Sequence, residues 1–493
     1  MGLAHRRRLL VATALVLTVV AGSVARVGAA SSSGVAPTSV DVTDLLVAPP
    51  PSGGGVPHLS ATTEDPGSTR ALADGYREVE LLLSGVASTY SGPVTGPATE
   101  ASAGNPYVTR VVARFPAKAS DFSGRVFVEP FNTTSGPDRD VGWSQIAPLL
   151  QSQGDAWVGV SVRSTSPEGL REFDATRYAD MSLPSNDYVW DILRQLGAVL
   201  RTGGDQSPLG DLRAKHLYMG GYSQSGVDTA TFAMAFHDTA RLRDGSPVFD
   251  GYLPAAHAAT RTPLQTGSGL ITEFDEGVMQ PVEVPVVDIE TQHDVQGWTR
   301  EVVPGLVYTS PGEASVRRPD ANTATDKYRL LEIAGASHSS SSSADCGGAP
   351  SSFPGPAFVR AAAAALFDWA ENGNAPKKAP RIEMEQIDEV STPRVDEFGN
   401  ALGGVRSPFV DVPLVQYHVQ AGGSGLSCAF SGTETPLATD VLADRYDDAN
   451  SYMKQFTKRL DATIRAGRVL KLDRAQILAS TREKADELFD GAR

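Results

Sequence analysis

Cysteine is nearly absent: Cys346 and Cys428 are the two in 493 residues. No Cys-x-x-Cys, His-x-His or His-Glu-x-x-His spacing occurs either. The arrangements that commonly hold zinc are therefore missing, and no catalytic metal is expected. Positive charge is in deficit, with 43 Lys and Arg against 58 Asp and Glu, for a formal net charge of −15. That balance opposes binding along a phosphate backbone and excludes nucleic acid as an expected partner. No internal repeat is visible, and no apolar run reaches the roughly 20 residues of a membrane-spanning helix.

What the N-terminus does have is a basic start (His5, Arg6, Arg7, Arg8), an apolar stretch Leu9–Ala21 and a small-residue end at Gly28-Ala29-Ala30. This is the build of a secretory signal peptide over residues 1–30, and export of the mature chain is expected. No cysteine lies at the cleavage region, so lipoprotein attachment is unsupported. The segment holds four arginines and no acid, and its removal would take the net charge to −19. In an exported protein an even pair of cysteines reads as a disulfide, here Cys346 to Cys428. Residues 31–69, rich in Ser, Pro, Gly and Val without sustained period, read as a mobile leader, and 70–493 as the folded domain. With 41% hydrophobic residues that domain can bury a large core.

Alternation predicts strands at Tyr76–Tyr90 and Tyr107–Phe115, and short apolar runs predict them at Val126–Glu129 and Trp157–Val162. Asn186–Arg201 carries Val189, Ile192, Leu193, Leu196, Val199 and Leu200 at helical spacing and ends before Gly203-Gly204. A strand at Leu217–Met219, a helix at Ser225–His237, strands at Val284–Ile289 and Tyr328–Ile333, and an Ala-rich helix at Ala357–Glu371 continue the series. Strands alternating with helices predict an α/β fold, a mostly parallel sheet covered on both faces. Residues 254–283 lack a clear period and are predicted to form a lid insertion. Residues 375–493 are irregular through Asp444, then helical at Ser451–Ala466 and Arg474–Phe489. The pattern fits a separate domain or a wrap around the first, to which a Cys346–Cys428 bond would tie it.

Tyr218–Asp228, Tyr-Met-Gly-Gly-Tyr-Ser-Gln-Ser-Gly-Val-Asp, breaks from an apolar run into a Gly-flanked serine and then a helical pattern. A nucleophile on a tight strand-to-helix turn needs a very small residue two positions before it, and Gly221 meets that need for Ser223. Ser225 takes the place of the usual second glycine. As a rival nucleophile Ser225 would have β-branched Val227 two positions on, a poor fit to that turn. A Gly/Ser-rich loop without chemistry is the plainer reading, so the partners decide.

An activated serine needs a histidine base and an orienting acid, here expected in the order Ser, acid, His. Glu290 and Asp294 follow strand Val284–Ile289, at the strand ends where open α/β sheets bind ligands. Asp288 lies inside the apolar run and is expected to have a structural partner. Among the eight histidines, His338 sits in a small-residue loop after the last predicted strand and is the expected base. Asp294, on the loop with room to bend toward it, is the expected orienting acid, and Glu290, at the strand's exit, is the alternative if the turn is tight. The oxyanion donors are expected from Gln224, which follows Ser223, and from Asn132 or Thr133 in the loop after Val126–Val128.

These stretches carry a resemblance. Gly-Tyr-Ser-Gln-Ser-Gly at 221–226, Ile-Glu-Thr-Gln-His-Asp-Val at 289–295, Glu-Ile-Ala-Gly-Ala-Ser-His at 332–338 and Asp396–Arg406 with Val412-Pro413 resemble the secreted "α/β-hydrolase domain-containing" proteins. The resemblance implies one α/β-hydrolase domain with a C-terminal wrap, and serine ester hydrolysis without a cofactor. Where that family often has Thr-Glu-Thr-Asp, this chain has Thr291-Gln292-His293-Asp294, which leaves Asp294 as the matching carboxylate. The expected substrate is a small-molecule or lipid-like ester. A serine peptidase or acyltransferase, and a catalytically inactive binding module, are the alternatives.

Overall fold

Strands that are apolar on both faces belong inside a sheet covered on both sides. In the computed structural model, β5 (Ala156–Val160), β7 (Gly251–Ala255) and β10 (Pro285–Thr291) are buried at every position. The structure describes residues 40–490 except 43, 52–55, 66, 67, 272, 304, 305, 311, 340–345, 388, 389 and 424. The expected signal peptide and residues 31–39 of the expected leader lie outside the described residues.

The remaining strands of the central sheet are β1 (Leu46–Ala48), β2 (Tyr76–Ser91), β3 (Thr99–Pro116), β4 (Arg125–Pro130), β6 (His216–Tyr222), β13 (Ala321–Asn322) and β14 (Lys327–Ile333). Their spatial order is β1-β2-β3-β5-β4-β6-β7-β10-β14-β13. From β5 to β14 neighbours run parallel, while β1, β2, β3 and β13 are antiparallel additions. Four small sheets among the described residues stand apart, including β8 (Thr260–Arg261) with β9 (Asp275–Glu276) and β11 (Trp298–Val303) with β12 (Leu306–Ser310).

Helices cover both faces. These are α1 (Val141–Gln153), α2 (Ser166–Phe173), α3 (Val189–Thr202), α4 (Gln224–Ala235), α5 (Gln292–Gln296) and α6 (Gly355–Asn372). One core joins α3 and α4 to the sheet through Trp190, Leu196, Phe232 and Tyr252. The other gathers Leu150 of α1 and Leu366 of α6 with Phe456, Leu460 and Ile477 from the C-terminal helices Ala449–Arg465 and Arg474–Asp490. Burying each such side chain contributes roughly 1.5–3 kcal/mol. The C-terminal extension therefore packs on the core of the sheet and its helices instead of folding apart from it.

Regular structure is present before the expected boundary at residue 70. Leu46–Ala48 pairs with β2, and the Ala61 amide donates to Glu78 Oε2 at 2.9 Å. Short apolar runs inside a Pro- and Gly-rich stretch hid this strand, because three residues cannot show a period. The segment expected as a lid is fastened beside α3 and α4: Trp190 Nε1 donates to Leu264 O at 3.1 Å and Thr262 Oγ1 to Asp228 at 2.7 Å.

Cys346 and Cys428 are disulfide-bonded, with Cα atoms 5.2 Å apart and a sequence separation of 82. Closing a loop of that size stabilises by roughly 4 kcal/mol through the unfolded chain. The double variant Cys346→Ser/Cys428→Ser is expected to unfold at a clearly lower urea concentration. An unchanged midpoint would show that the bond staples nothing.

Candidate active site

The geometry starts at β6. A Cβ added at Gly221 would stand 2.6 Å from Ser225 Cβ, and one at Gly226 only 2.3 Å from Ala255 O. Glycine at both positions lets the turn between β6 and α4 close. Ser223 sits on that turn as the residue capping α4, with φ 62° and ψ −127°. A non-glycine residue there is strained, and the turn holds it with Ser223 N donating to Ala255 O at 2.9 Å. Ser225 is fully buried, accepting from Tyr222 N and donating to Tyr222 O, each at 3.0 Å. Its hydroxyl is committed to the turn.

Parallel pairing then brings the other two groups to the same edge. Thr291, the last residue of β10, is level with Ile333, the last of β14, so the loops after the two strands leave side by side. Thr291 caps α5, and that single turn lifts Asp294 away from the strand. His338 Nδ1 lies 2.8 Å from Asp294 Oδ1, and His338 Nε2 lies 2.9 Å from Ser223 Oγ. A carboxylate accepts, so Nδ1 carries the proton, Nε2 is the acceptor, and the Ser223 hydroxyl donates to it. Tyr222 Oη donates to His338 O at 2.6 Å, which fixes the loop from beneath.

Asp294 is also held by Thr291, whose hydroxyl donates to Oδ2 at 2.5 Å. Burial alone would push its carboxyl up, but His338, His293 and the Thr291 hydrogen bond outweigh that and hold it below the usual carboxylate range. The rival acids have other partners. Glu290 accepts from the His257 and Ala258 amides at 3.1 and 3.2 Å; burial and the neighbouring charges of Asp294 and Asp288 push it well above its usual value. Asp288 accepts from His257 Nε2 at 3.0 Å and Tyr328 Oη at 2.8 Å.

The structure brings Ser223, His338 and Asp294 together, and it treats the expected oxyanion donors unevenly. Gln224 is the first residue of α4, where helix amides have no partner within the helix. In the early loop Asn132 N donates to Arg139 O at 2.9 Å, so the expectation that this amide faces the site is corrected. Thr133 N donates to Gln224 Oε1 at 2.7 Å, the side chain of the residue that follows Ser223.

Among the described residues, His257, Glu290 and Glu313 stand within 4.8 Å of one another, as do His237, Asp238 and Glu283. The His257 ring has both nitrogens committed: Nε2 faces Asp288 Oδ1, and Nδ1 faces Arg261 Nη1 at 3.0 Å, which can only donate. That imidazole has no lone pair to spare for a metal.

Sequence reasoning missed Phe430. Its ring centroid lies 4.6 Å from that of His338 at an interplanar angle of 33°, and Ser339 N donates to Phe430 O at 2.8 Å. No local motif marks it, because it arrives from the C-terminal extension two residues after the bonded Cys428. Phe430→Ala is expected to lower kcat by roughly tenfold, the scale of one lost ring contact, with Phe430→Tyr near wild type. Equal kcat in both would mean that the ring only fills space.

A family model described as "Alpha/beta hydrolase domain" matches residues 46–479. No curated protein matches the sequence. Among solved structures, the chain is similar to a putative dienelactone hydrolase from Klebsiella pneumoniae, at 13% identity and a TM-score of 0.26 over 52% of this chain and 86% of that one. It is similar to Est1E from Butyrivibrio proteoclasticus at 12% identity and 0.27, over 51% and 90%. A third is the rice cell wall degrading esterase LipA from Xanthomonas oryzae, at 14% and 0.21, over 38% and 44%. The chain thus spans less than half the length of LipA.

Proposed function

The chain belongs to the alpha/beta hydrolase domain family, and on that premise we propose that it is a secreted serine hydrolase that cleaves carboxylic esters through an acyl group carried on Ser223. The observation that carries the reading is the unbroken pair of hydrogen bonds, Ser223 to His338 at 2.9 Å and His338 to Asp294 at 2.8 Å, on a strained elbow. In this reading Ser223 Oγ attacks the ester carbon while its proton passes to His338 Nε2. Asp294 holds the Nδ1 proton in place and stabilises the imidazolium. His338 then returns the proton to the leaving alkoxide. Water repeats the sequence and releases the acid.

The Gln224 amide at the α4 terminus is the first donor to the oxyanion, and Thr133 is the second. No cofactor takes part. Export is supported by the basic-apolar-small order of residues 1–30 and by the disulfide, which suits an oxidising compartment. No helix among the described residues is long and apolar enough to cross a membrane.

Labelling with a fluorophosphonate tests the reading. Modification at Ser223 in folded protein is the expected result. Absence of labelling at Ser223 would favour a hydrolase fold used for binding.

A further inference from the structure

Thr133 offers two hydrogens to a single oxygen. Its backbone N–H donates to Gln224 Oε1 at 2.7 Å and its hydroxyl donates to the same atom at 3.2 Å. Two donors converging on one oxygen is what a developing oxyanion requires. Here that oxygen belongs to the side chain of the residue after Ser223. A backbone N–H can only donate, so the Gln224 amide must turn its oxygen toward Thr133.

The donors are the fixed half of this contact. Thr133 is 7% exposed, and its neighbours are tied down: Asn132 N to Arg139 O, and Thr134 N to Asn132 Oδ1, both at 2.9 Å. Asn132 Nδ2 also donates to Tyr222 O at 3.2 Å, linking the loop to the elbow. Gln224, by contrast, is half-buried at the first position of α4. Its side chain is the half of the contact that can move.

We infer that the Gln224 side-chain carbonyl occupies the oxyanion position at Thr133 in the resting protein, and that the carbonyl oxygen of an ester displaces it as the tetrahedral intermediate forms. The inference rests on Ser223 being the nucleophile, as proposed above. On attack, the Ser223 Oγ–carbon bond forms, the hydroxyl proton moves to His338, and the π pair of the C=O bond moves onto the carbonyl oxygen. That oxygen takes over the two Thr133 hydrogens as Gln224 Oε1 leaves for solvent. Two acceptors thus compete for the same donors, and the sign of each substitution follows. Removing the internal acceptor helps catalysis, and strengthening it hurts.

The experiment first establishes fluorophosphonate labelling of Ser223 in the wild type. Gln224→Met, which keeps length without the carbonyl, and Gln224→Glu are then compared for kcat and KM on p-nitrophenyl butyrate. Both are also compared for inhibition by an aryl trifluoromethyl ketone, which adds to Ser223 and forms the oxyanion. Gln224→Met is expected to raise kcat/KM and tighten the inhibitor by roughly threefold to tenfold, the scale of one net hydrogen bond. Gln224→Glu is expected to lower kcat by roughly a hundredfold with KM nearly unchanged, because an ionised acceptor holds the donors about twice as strongly.

A lower kcat and weaker inhibition in Gln224→Met would show that the carbonyl braces Thr133 instead of occupying its site, and would overturn the inference. Wild-type values in both variants would do the same. Either result leaves the nucleophile standing if Ser223 is still labelled. Failure of the wild type to label would bring down the nucleophile, and this inference with it.

Discussion

Ser223→Ala is expected to abolish ester turnover, by roughly a millionfold as in comparable triads, while the unfolding midpoint stays at the wild-type value. The side chain makes one described hydrogen bond, to His338 Nε2, and it is partly exposed on the elbow, so its loss removes chemistry and little packing. Alanine keeps the Cβ and therefore the same strain at φ 62°. Ser225→Ala supplies the contrast. That hydroxyl ties Tyr222 N and O together inside the protein, and deleting it takes from the buried Tyr222 N its acceptor, at about 1–3 kcal/mol, while Tyr222 O keeps the Asn132 Nδ2 donor. Ser225→Ala should therefore lose stability and keep most of its turnover per folded molecule. If Ser223→Ala retained activity and Ser225→Ala lost it, the nucleophile would be the other serine.

The sheet and its helices were legible because each element is long enough to show its own period. The predicted helix at Asn186–Arg201 covers α3 less its last residue, with a short 3-10 turn before it. The strand predicted at Tyr328–Ile333 is β14 less one residue. The elbow was legible for a different reason: crowding at Gly221 and Gly226 is a local demand that leaves a local mark. His338 and Asp294, which the structure brings to Ser223, could be proposed because chain order and strand ends restrict where a base and an acid would stand. What could not be read were contacts made across long separations. Phe430 reaches His338 from 92 residues downstream of it in the chain, and the pairing of His257 with Asp288 and Glu290 crosses between β7 and β10. The early loop shows the same limit. Its sequence suggests a turn with donors, but that Asn132 N turns to Arg139 while Thr133 N turns to Gln224 depends on a side chain from another element.

Asp294→Asn is expected to lower turnover by roughly ten-thousandfold, as loss of the orienting acid does elsewhere, while Glu290→Gln costs far less. The difference lies in what each carboxyl does for His338. Asp294 Oδ1 accepts the Nδ1 proton at 2.8 Å, which leaves Nε2 as the acceptor for Ser223. An amide in its place can present NH2 to Nδ1, stabilising the tautomer whose Nε2 carries the proton and cannot accept one. The carboxyl of Asp294 is held below its usual range, so in the folded protein it stays ionised where the unfolded chain's would begin to take up protons. Its contribution to stability is full above the unfolded titration near pH 4 and is lost as pH falls through the depressed folded value. Asp294→Asn removes that dependence along with the rate. Glu290 stands behind the site, accepting two backbone amides after β7, and burial with the charges of Asp294 and Asp288 already favours its neutral form. Glutamine there keeps an acceptor oxygen for one of those amides and turns NH2 toward the other, a local cost that leaves the His338 Nδ1 contact with Asp294 intact. Steady-state rates of the two variants, with an acid titration of stability for Asp294→Asn, check both halves. A crippled Glu290→Gln beside a near-normal Asp294→Asn would move the orienting role four residues back, onto the end of β10.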